Sequence, residues 1–356
     1  MPSSPIGRRG FLAGAAAGGA ALVTLGGIEY RADAKLDVAA MGSQMEVPPA
    51  VADYYRRQSQ TGYVAGPPVP PAGGGLTREY WIKAVKVPNW DIVPTHRDAM
   101  MDRPIKGKTK ITAIAYQRFT PGFKKPMARP QIPGPLIEAD VGDTVVVNFR
   151  NECGMPVTIH PHGIFYTVDM DGTYKGKYTD PGGFVENGHA FRYVWEARQD
   201  TVGAWLYHDH GPMDPIPVFK GLFGSLIVRD PTVPQPDREF FICLHSFTPP
   251  YISLPTEFMC INGRAYAGNT PTLRAKTGES VTWHVYALDN NFHTFHLHGH
   301  RWLDTDGGYL IDTKTIGPAD IITLNYTEDN PGRWFYHCHV FSHLHMGMNG
   351  WYLVTE

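Results

Sequence analysis

Along most of the chain, apolar residues come in short runs of β-branched and aromatic side chains that follow glycine turns. Thr144-Val145-Val146-Val147-Asn148-Phe149 follows Gly142-Asp143, and Ser280-Val281-Thr282-Trp283-His284-Val285 follows Gly278-Glu279. Runs of this kind predict strands. Glycine (38) and proline (31) are spread along the 356 residues as turn punctuation, and no helical period of useful length emerges. The length suits two domains at roughly 150 residues each.

The pattern repeats. Pro135-Leu136-Ile137-Glu138-Ala139-Asp140-Val141-Gly142-Asp143 matches Pro271-Thr272-Leu273-Arg274-Ala275-Lys276-Thr277-Gly278-Glu279, and His160-Pro161-His162-Gly163 falls on His296-Leu297-His298-Gly299 at the same spacing. Gly203-Ala204-Trp205-Leu206-Tyr207-His208-Asp209-His210 falls on Gly332-Arg333-Trp334-Phe335-Tyr336-His337-Cys338-His339. So long a period excludes a solenoid and predicts two copies of one β-sandwich domain, over 76–235 and 236–356.

The amino-terminal part reads differently. Arg8-Arg9-Gly10-Phe11-Leu12 opens a small-residue apolar run reaching about Gly27, followed by Arg31-Ala32-Asp33-Ala34. This predicts a twin-arginine export signal over 1–34, and so a periplasmic or extracellular protein. The run falls short of the roughly 20 strongly apolar residues a membrane span needs, so no membrane attachment is expected after its removal. Residues 35–75 end in Gly66-Pro67-Pro68-Val69-Pro70-Pro71-Ala72-Gly73-Gly74-Gly75 and read as an extension or linker.

Charge and cysteine content narrow the function. Thirty-two basic against 34 acidic residues leave a net charge of −2, without the basic face a nucleic-acid partner would require. Four cysteines exclude a disulfide-dense scaffold. Cys243 and Cys260 fall in neighbouring expected strands, where a pairing is open.

Histidine carries the chemistry. His160/His162, His208/His210, His296/His298 and His337/His339 are four His-x-His pairs at matching places in the two copies. On a strand, residues two apart project from one face, so each pair can reach a single metal cavity. Cys338, between two of these histidines, must point the other way and serve a different metal. Together with His293, His343 and Met348 it makes the ligand set of a blue-copper electron-transfer site. The first copy has Asp209, Val157 and Leu222 where the second has Cys338, His293 and Met348.

On these motifs residues 76–356 resemble the multicopper oxidases, and in particular the two-domain small laccases with type 1 copper only in the second domain. The resemblance implies two cupredoxin-like Greek-key sandwiches in an all-β fold and four coppers per chain. Type 1 copper would sit on His293, Cys338 and His343, with Met348 axial. Type 2 copper would sit on His160 and His296, and the two type 3 coppers on His162, His208, His210, His298, His337 and His339. Tyr166 and Asp171 match a tyrosine and an acid beside the trinuclear cluster, although Tyr166 also reads as a core aromatic and Asp171-Gly172 as a turn; Asp320 is a weaker second acid.

The activity implied is one-electron oxidation of phenols and aromatic amines through the edge of His293 or His343, coupled to reduction of O2 to water. The assembly implied is a homotrimer with trinuclear sites between subunits. A Cu(I) oxidase of the same fold is the alternative. A copper nitrite reductase would carry its type 1 set in the first domain, and a copper carrier would not need four extra His-x-His pairs. His96, His189, His245 and His284 read as surface or core, and His300 and His345 lie off the pattern.

Overall fold

The computed structural model describes residues 47–61, 66, 69–71, 73–249 and 251–356, with the backbone of one short strand pair, Leu22–Leu25 and Ile28–Arg31. Apart from that pair, the expected export signal lies outside the described residues.

The first half carries α1 (Pro49–Gln58), β1 (Gln60–Thr61), β2 (Thr77–Asp91), β3 (Lys110–Phe119), β4 (Ile137–Asp140), β5 (Thr144–Glu152) and β6 (His160–Pro161). It continues with β7 (His189–Glu196), β8 (Gly203–His208), a four-residue α2 (Ile216–Phe219) and β9 (Phe223–Arg229). The second half carries β10 (Arg238–Phe247), β11 (Phe258–Ile261), β12 (Leu273–Lys276), β13 (Ser280–Ala287) and β14 (His293–Leu297). After these come β15 (Thr313–Ile316), β16 (Ile321–Thr327), β17 (Gly332–Cys338), α3 (Phe341–His345) and β18 (Asn349–Thr355).

Each half is a sandwich of two sheets, and the sheets correspond strand for strand. One sheet runs β6-β8-β9-β4 in the first half and β14-β17-β18-β12 in the second, where β15 extends it beyond β14. The other runs β7-β5-β2-β3 and β16-β13-β10-β11, and β1 adds to the first of these. The protein is all-β in two sandwiches, as the strand runs and the repeat predict. Alternation explains the layering: in β5 and β13 apolar residues such as Val145, Val147, Trp283 and Val285 turn inward to fill the two sandwich cores.

One expectation needs correction, and one open pairing closes. The 35–75 stretch is not linker throughout, because α1 packs Tyr55 in a buried position and its Arg56 bonds Glu186. Pro48-Pro49 at its start and Arg56-Arg57 in its last turn are helix-boundary signals, but a helix of 10 residues with few apolar positions leaves almost no periodicity. Cys243 and Cys260 are both free. The β10–β11 ladder sets His245, not Cys243, across from Cys260.

The two sandwiches are joined by a core of their own. Trp90, Ile111, Leu206 and Phe223 of the first pack with Phe247, Phe258, Tyr266 and Tyr286 of the second. Trp90 Nε1 donates to the Gly263 carbonyl at 2.8 Å, and Ser225 Oγ lies 2.9 Å from Tyr286 Oη. Beside this core Arg229, from β9, grips Glu239, from β10, with Nη2–Oε2 at 2.6 Å, while His284 Nε2 lies 3.0 Å from Glu239 Oε1. Burial alone would raise the Glu239 carboxyl, but its bonds to His284 and Arg229 prevail and hold it down at about 2. A folded value below the unfolded one gives stability that is present above about pH 4.5 and is lost as pH falls toward 2. Acid unfolding followed by circular dichroism should therefore show Glu239→Gln missing roughly 2–3 kcal/mol of the wild type's pH dependence in that window. Superimposable curves would remove Glu239 from the acid response.

Candidate metal centres

The ladders bring the His-x-His pairs together. β6 pairs with β8 so that His160 stands opposite His208, and β14 pairs with β17 so that His296 stands opposite His337. In the first set His162 Nε2 lies 3.0 Å from His208 Nε2, and the His160 ring centroid lies 5.2 Å from that of His162 and 5.3 Å from that of His210. In the second set His298 Nε2 lies 3.1 Å from His337 Nε2, with His296 4.8 Å from His298 and 5.5 Å from His339 between centroids. Ligand atoms of His160, His162 and His208 fall within 4.8 Å of one another, as do those of His296, His298 and His337. Among the described residues no hydrogen bond or ring contact links the two sets.

The same backbone contacts orient the rings in both sets. His160 Nδ1 meets the Asp171 carbonyl at 2.7 Å and His296 Nδ1 the Asp312 carbonyl at 2.8 Å. His208 Nδ1 meets the Asp209 carbonyl at 2.7 Å and His337 Nδ1 the Cys338 carbonyl at 2.8 Å. A carbonyl accepts only, so the proton is assigned to Nδ1 and Nε2 is left as the donor atom for a metal. Burial disfavours the imidazolium and pushes His162 and His337 down to about 4 and His208 to about 3. At neutral pH these rings are uncharged, the form that binds a metal.

A glycine supports each set. Gly163 and Gly299 follow the His-x-His pairs with φ of +71° and +73°, and a Cβ there would come within 1.9 Å of Trp205 or 2.7 Å of Trp334. Those tryptophans stand three residues before His208 and His337, so glycine and ring lock the two histidine strands in register. Gly163→Ala should cost at least about 1–3 kcal/mol in thermal unfolding of the metal-free protein, from the left-handed backbone before any clash is counted. An unchanged melting temperature would show that the loop yields without strain.

Of the three acids and phenols expected nearby, Asp171 is the most intimate. Its Oδ1 lies 3.1 Å from His160 Nδ1, and Lys175 Nζ lies 2.5 Å from its Oδ2. Burial raises its carboxyl, yet Lys175 and His160 hold it below the usual carboxylate range. The Tyr166 ring lies 5.8 Å from that of His160, and burial with the neighbouring Asp171 raises its hydroxyl. Asp320 meets no histidine directly: it accepts the Gly317 N–H at 2.7 Å and shares a cavity of about 330 Å³ with His162. Asp312, which no motif singles out, is the second set's counterpart of Asp171. Its loop is longer (16 residues from His296, against 11 from His160), which hides the correspondence.

On the opposite face of β17, Cys338 meets His293 and His343, all three buried and with ligand atoms within 4.8 Å. Cys338 Sγ lies 3.6 Å from His343 Nδ1. Met348 is fully buried and reaches this place through the backbone, its carbonyl accepting Cys338 N–H at 3.1 Å and its N–H donating to the His343 carbonyl at 3.0 Å. His293 Nδ1 is buried without a partner. A cysteine, two histidines and an orphaned imidazole nitrogen fit a metal and have no other evident use in a core. Burial raises the thiol, but His293 and His343 bring Cys338 down to about 6, so the thiolate predominates at neutral pH. His293 is entirely buried, whereas His343 keeps 7% of its surface. Of the two imidazoles, His343 is therefore the less deeply buried.

The first sandwich has closed the corresponding place. Asp209 Oδ1 accepts Thr158 N–H at 2.7 Å, just as Cys338 Sγ accepts the equivalent Thr294 N–H at 3.4 Å. Burial pushes the Asp209 carboxyl up to about 8, and Val157 and Leu222 fill the space beside it.

Comparison with known proteins agrees with this construction. Residues 126–233 and 245–356 each match a multicopper oxidase sequence profile. A probable nitrite reductase-hydroxylamine oxidoreductase fusion protein from Kuenenia stuttgartiensis is 33% identical over 64% of this chain and 28% of its own length. A ferroxidase from Homo sapiens is 27% identical over 80% of this chain and 30% of its length, and human ceruloplasmin 28% identical over 78% and 31%. The chain thus spans under a third of these relatives. A solved multicopper oxidase superposes with a TM-score of 0.60 at 23% identity, covering 78% of this chain and 89% of that one. The copper nitrite reductase from Nitrosomonas europaea gives 0.60 at 19%, covering 79% and 94%. Two sandwiches with duplicated His-x-His strands, and a Cys-His-His cluster in the second, are the arrangement that these family profiles describe. The chain belongs to the multicopper oxidase family, and its two sandwiches each carry one of the family's profiles.

Proposed function

We propose that this protein is a laccase-type oxidase that removes single electrons from phenols and aromatic amines and uses them to reduce O2. The observation that carries the reading is the coexistence on one chain of two matching four-histidine sets and a single set of one cysteine, two histidines and a methionine. His293, Cys338, His343 and Met348 would hold type 1 copper, His160 and His296 type 2, and His162, His208, His210, His298, His337 and His339 the type 3 pair, four coppers in all. Copper held there would supply one-electron redox chemistry at the cysteine site and, at the histidine sets, reduction of O2 by four electrons and four protons to two waters.

The chain supplies the rest. Phe292, next in sequence to His293, is exposed and is the apolar side chain offered to a flat aromatic reductant. Cys338 is bonded in sequence to His337 and His339, so a short covalent path runs from its sulfur to two imidazoles of the second set. Asp171, held ionised by Lys175, is placed to relay protons toward His160, with Tyr166 beside it. Oxidation of a metal ion is the second reading, favoured by the ferroxidase among the relatives. The Arg8-Arg9 motif supports export to the periplasm or beyond.

Among the described residues the two histidine sets do not meet within the chain, which supports a homotrimer in which the first set of one subunit faces the second set of the next. Exposed apolar residues flank both sets: Val168 and Tyr178 near Asp171, and Phe341, 5.6 Å from His339 between ring centroids.

Copper-loaded protein should oxidise a dimethoxyphenol with one O2 consumed per four electrons, faster than it oxidises Fe(II) or Cu(I). Peroxide as the main product, or a preference for the metal ions, would reject the laccase reading. Cys338→Ser should abolish both the blue absorption band and phenol oxidation; a variant that stays blue would take Cys338 out of the site.

Assembly has its own test. A His160→Ala/His162→Ala protein mixed with a His337→Ala/His339→Ala protein under subunit exchange should regain part of the activity. Sites within one chain would regain none.

A further inference from the structure

Asp289 is a buried charge that neither the sandwich nor the ligand set requires. It follows β13 and stands four residues ahead of His293, and both side chains have 0% exposure. His293 Nε2 lies 3.1 Å from Asp289 Oδ1, which also accepts the Asn291 N–H at 2.8 Å. Two atoms of this pair are buried without partners, Asp289 Oδ2 and His293 Nδ1. Burying a carboxylate is costly, and one that persists calls for a reason.

The duplication supplies an internal control. At the spacing that places His160 on His296, Asp289 falls on Cys153 and His293 falls on Val157. Both of these are fully buried in the first core. The carboxylate is therefore present in the copy that has the Cys338 thiolate and missing from the copy that lacks it. Its role follows the ligand site, not the fold.

The neighbouring ligand is treated differently. His343 lies on α3, its Nδ1 is 3.6 Å from the Cys338 sulfur, and the residue is 7% exposed. Among the described residues a carboxylate bonds His293 and none bonds His343.

We propose that Asp289 is a positioning residue for the cysteine site, holding the proton of His293 on Nε2 so that Nδ1 faces the metal, and lowering the site's reduction potential through its charge. The physical basis is general. A carboxylate accepting the outer N–H of a ligand imidazole fixes its tautomer and orientation and makes the ring a stronger donor. A stronger donor favours the more highly charged metal ion, so the oxidised state gains relative to the reduced one. The inference rests on the reading of His293, Cys338 and His343 as the blue-copper site. That reading fails separately, because the wild type would then show no blue band and no potential to measure.

The test is a redox titration of copper-loaded Asp289→Asn against wild type, monitored at the blue band. Asparagine keeps an acceptor of similar shape and removes the charge. The expected result is an intact band with the equilibrium displaced about tenfold toward the reduced state, a rise of about 59 mV for a one-electron couple. Asp289→Glu, which restores the charge, should fall back toward wild type. An intact band with unchanged potential in Asp289→Asn overturns the proposal. A measurement on the wild type alone guards against a variant that does not fold. In the cobalt-substituted protein, the metal-shifted N–H proton of His293 should exchange with solvent far more slowly than that of His343. Equal, rapid exchange of both protons overturns the proposal as well.

Discussion

A β-strand shows successive side chains to opposite faces, and at His337-Cys338-His339 that alternation separates two kinds of chemistry by one residue. The histidines face the surface where the second set gathers, and the thiol faces the sandwich core with His293, His343 and Met348. Everything else serves this strand. β14 pairs with it to bring His296 opposite His337, β18 pairs on its other side to bring Met348 beneath Cys338, and Gly299 lets the Trp334 ring lie against the turn. A slip of one residue would exchange the two faces and leave neither site with its ligands.

The chemistry was legible in the sequence because duplication wrote it twice. Equal spacing between His160-Pro161-His162-Gly163 and His296-Leu297-His298-Gly299 predicts matching ladders, and the ladders form. Residues that act from irregular loops were harder to see. Asp312 and Asp171 meet corresponding histidines, yet their loops differ in length and no fixed spacing connects them. Asp289 sits in a loop whose first-copy counterpart has changed chemistry altogether, so comparing the copies hides it until the structure shows the bond to His293. The helix α1 escaped for a different reason. Its burial rests chiefly on Tyr55, and one buried side chain in 10 residues sets no period.

The core shared by the two sandwiches bears on the electronic site as well as on stability. Cys243, Cys260 and Tyr286 belong to that core, and Asp289 is close enough to influence the ionisation of both thiols and of His245. The loop that leads to His293 thus lies beside the core that joins the two sandwiches.

Asp209 shows how a duplicated domain becomes committed to one division of labour. Its carboxyl now bonds the backbone that a thiolate would otherwise hold, and Val157 and Leu222 have closed around it. Building the same ligand set here would take four replacements, because no histidine stands where the second sandwich has His343. A cysteine alone would forfeit the short bond to Thr158, and a lone histidine at 157 would bury a polar ring without a partner. The two halves of this chain share their sheets but not their interiors: the strand position that buries a thiol beside two imidazoles in one buries an acid bonded to backbone in the other.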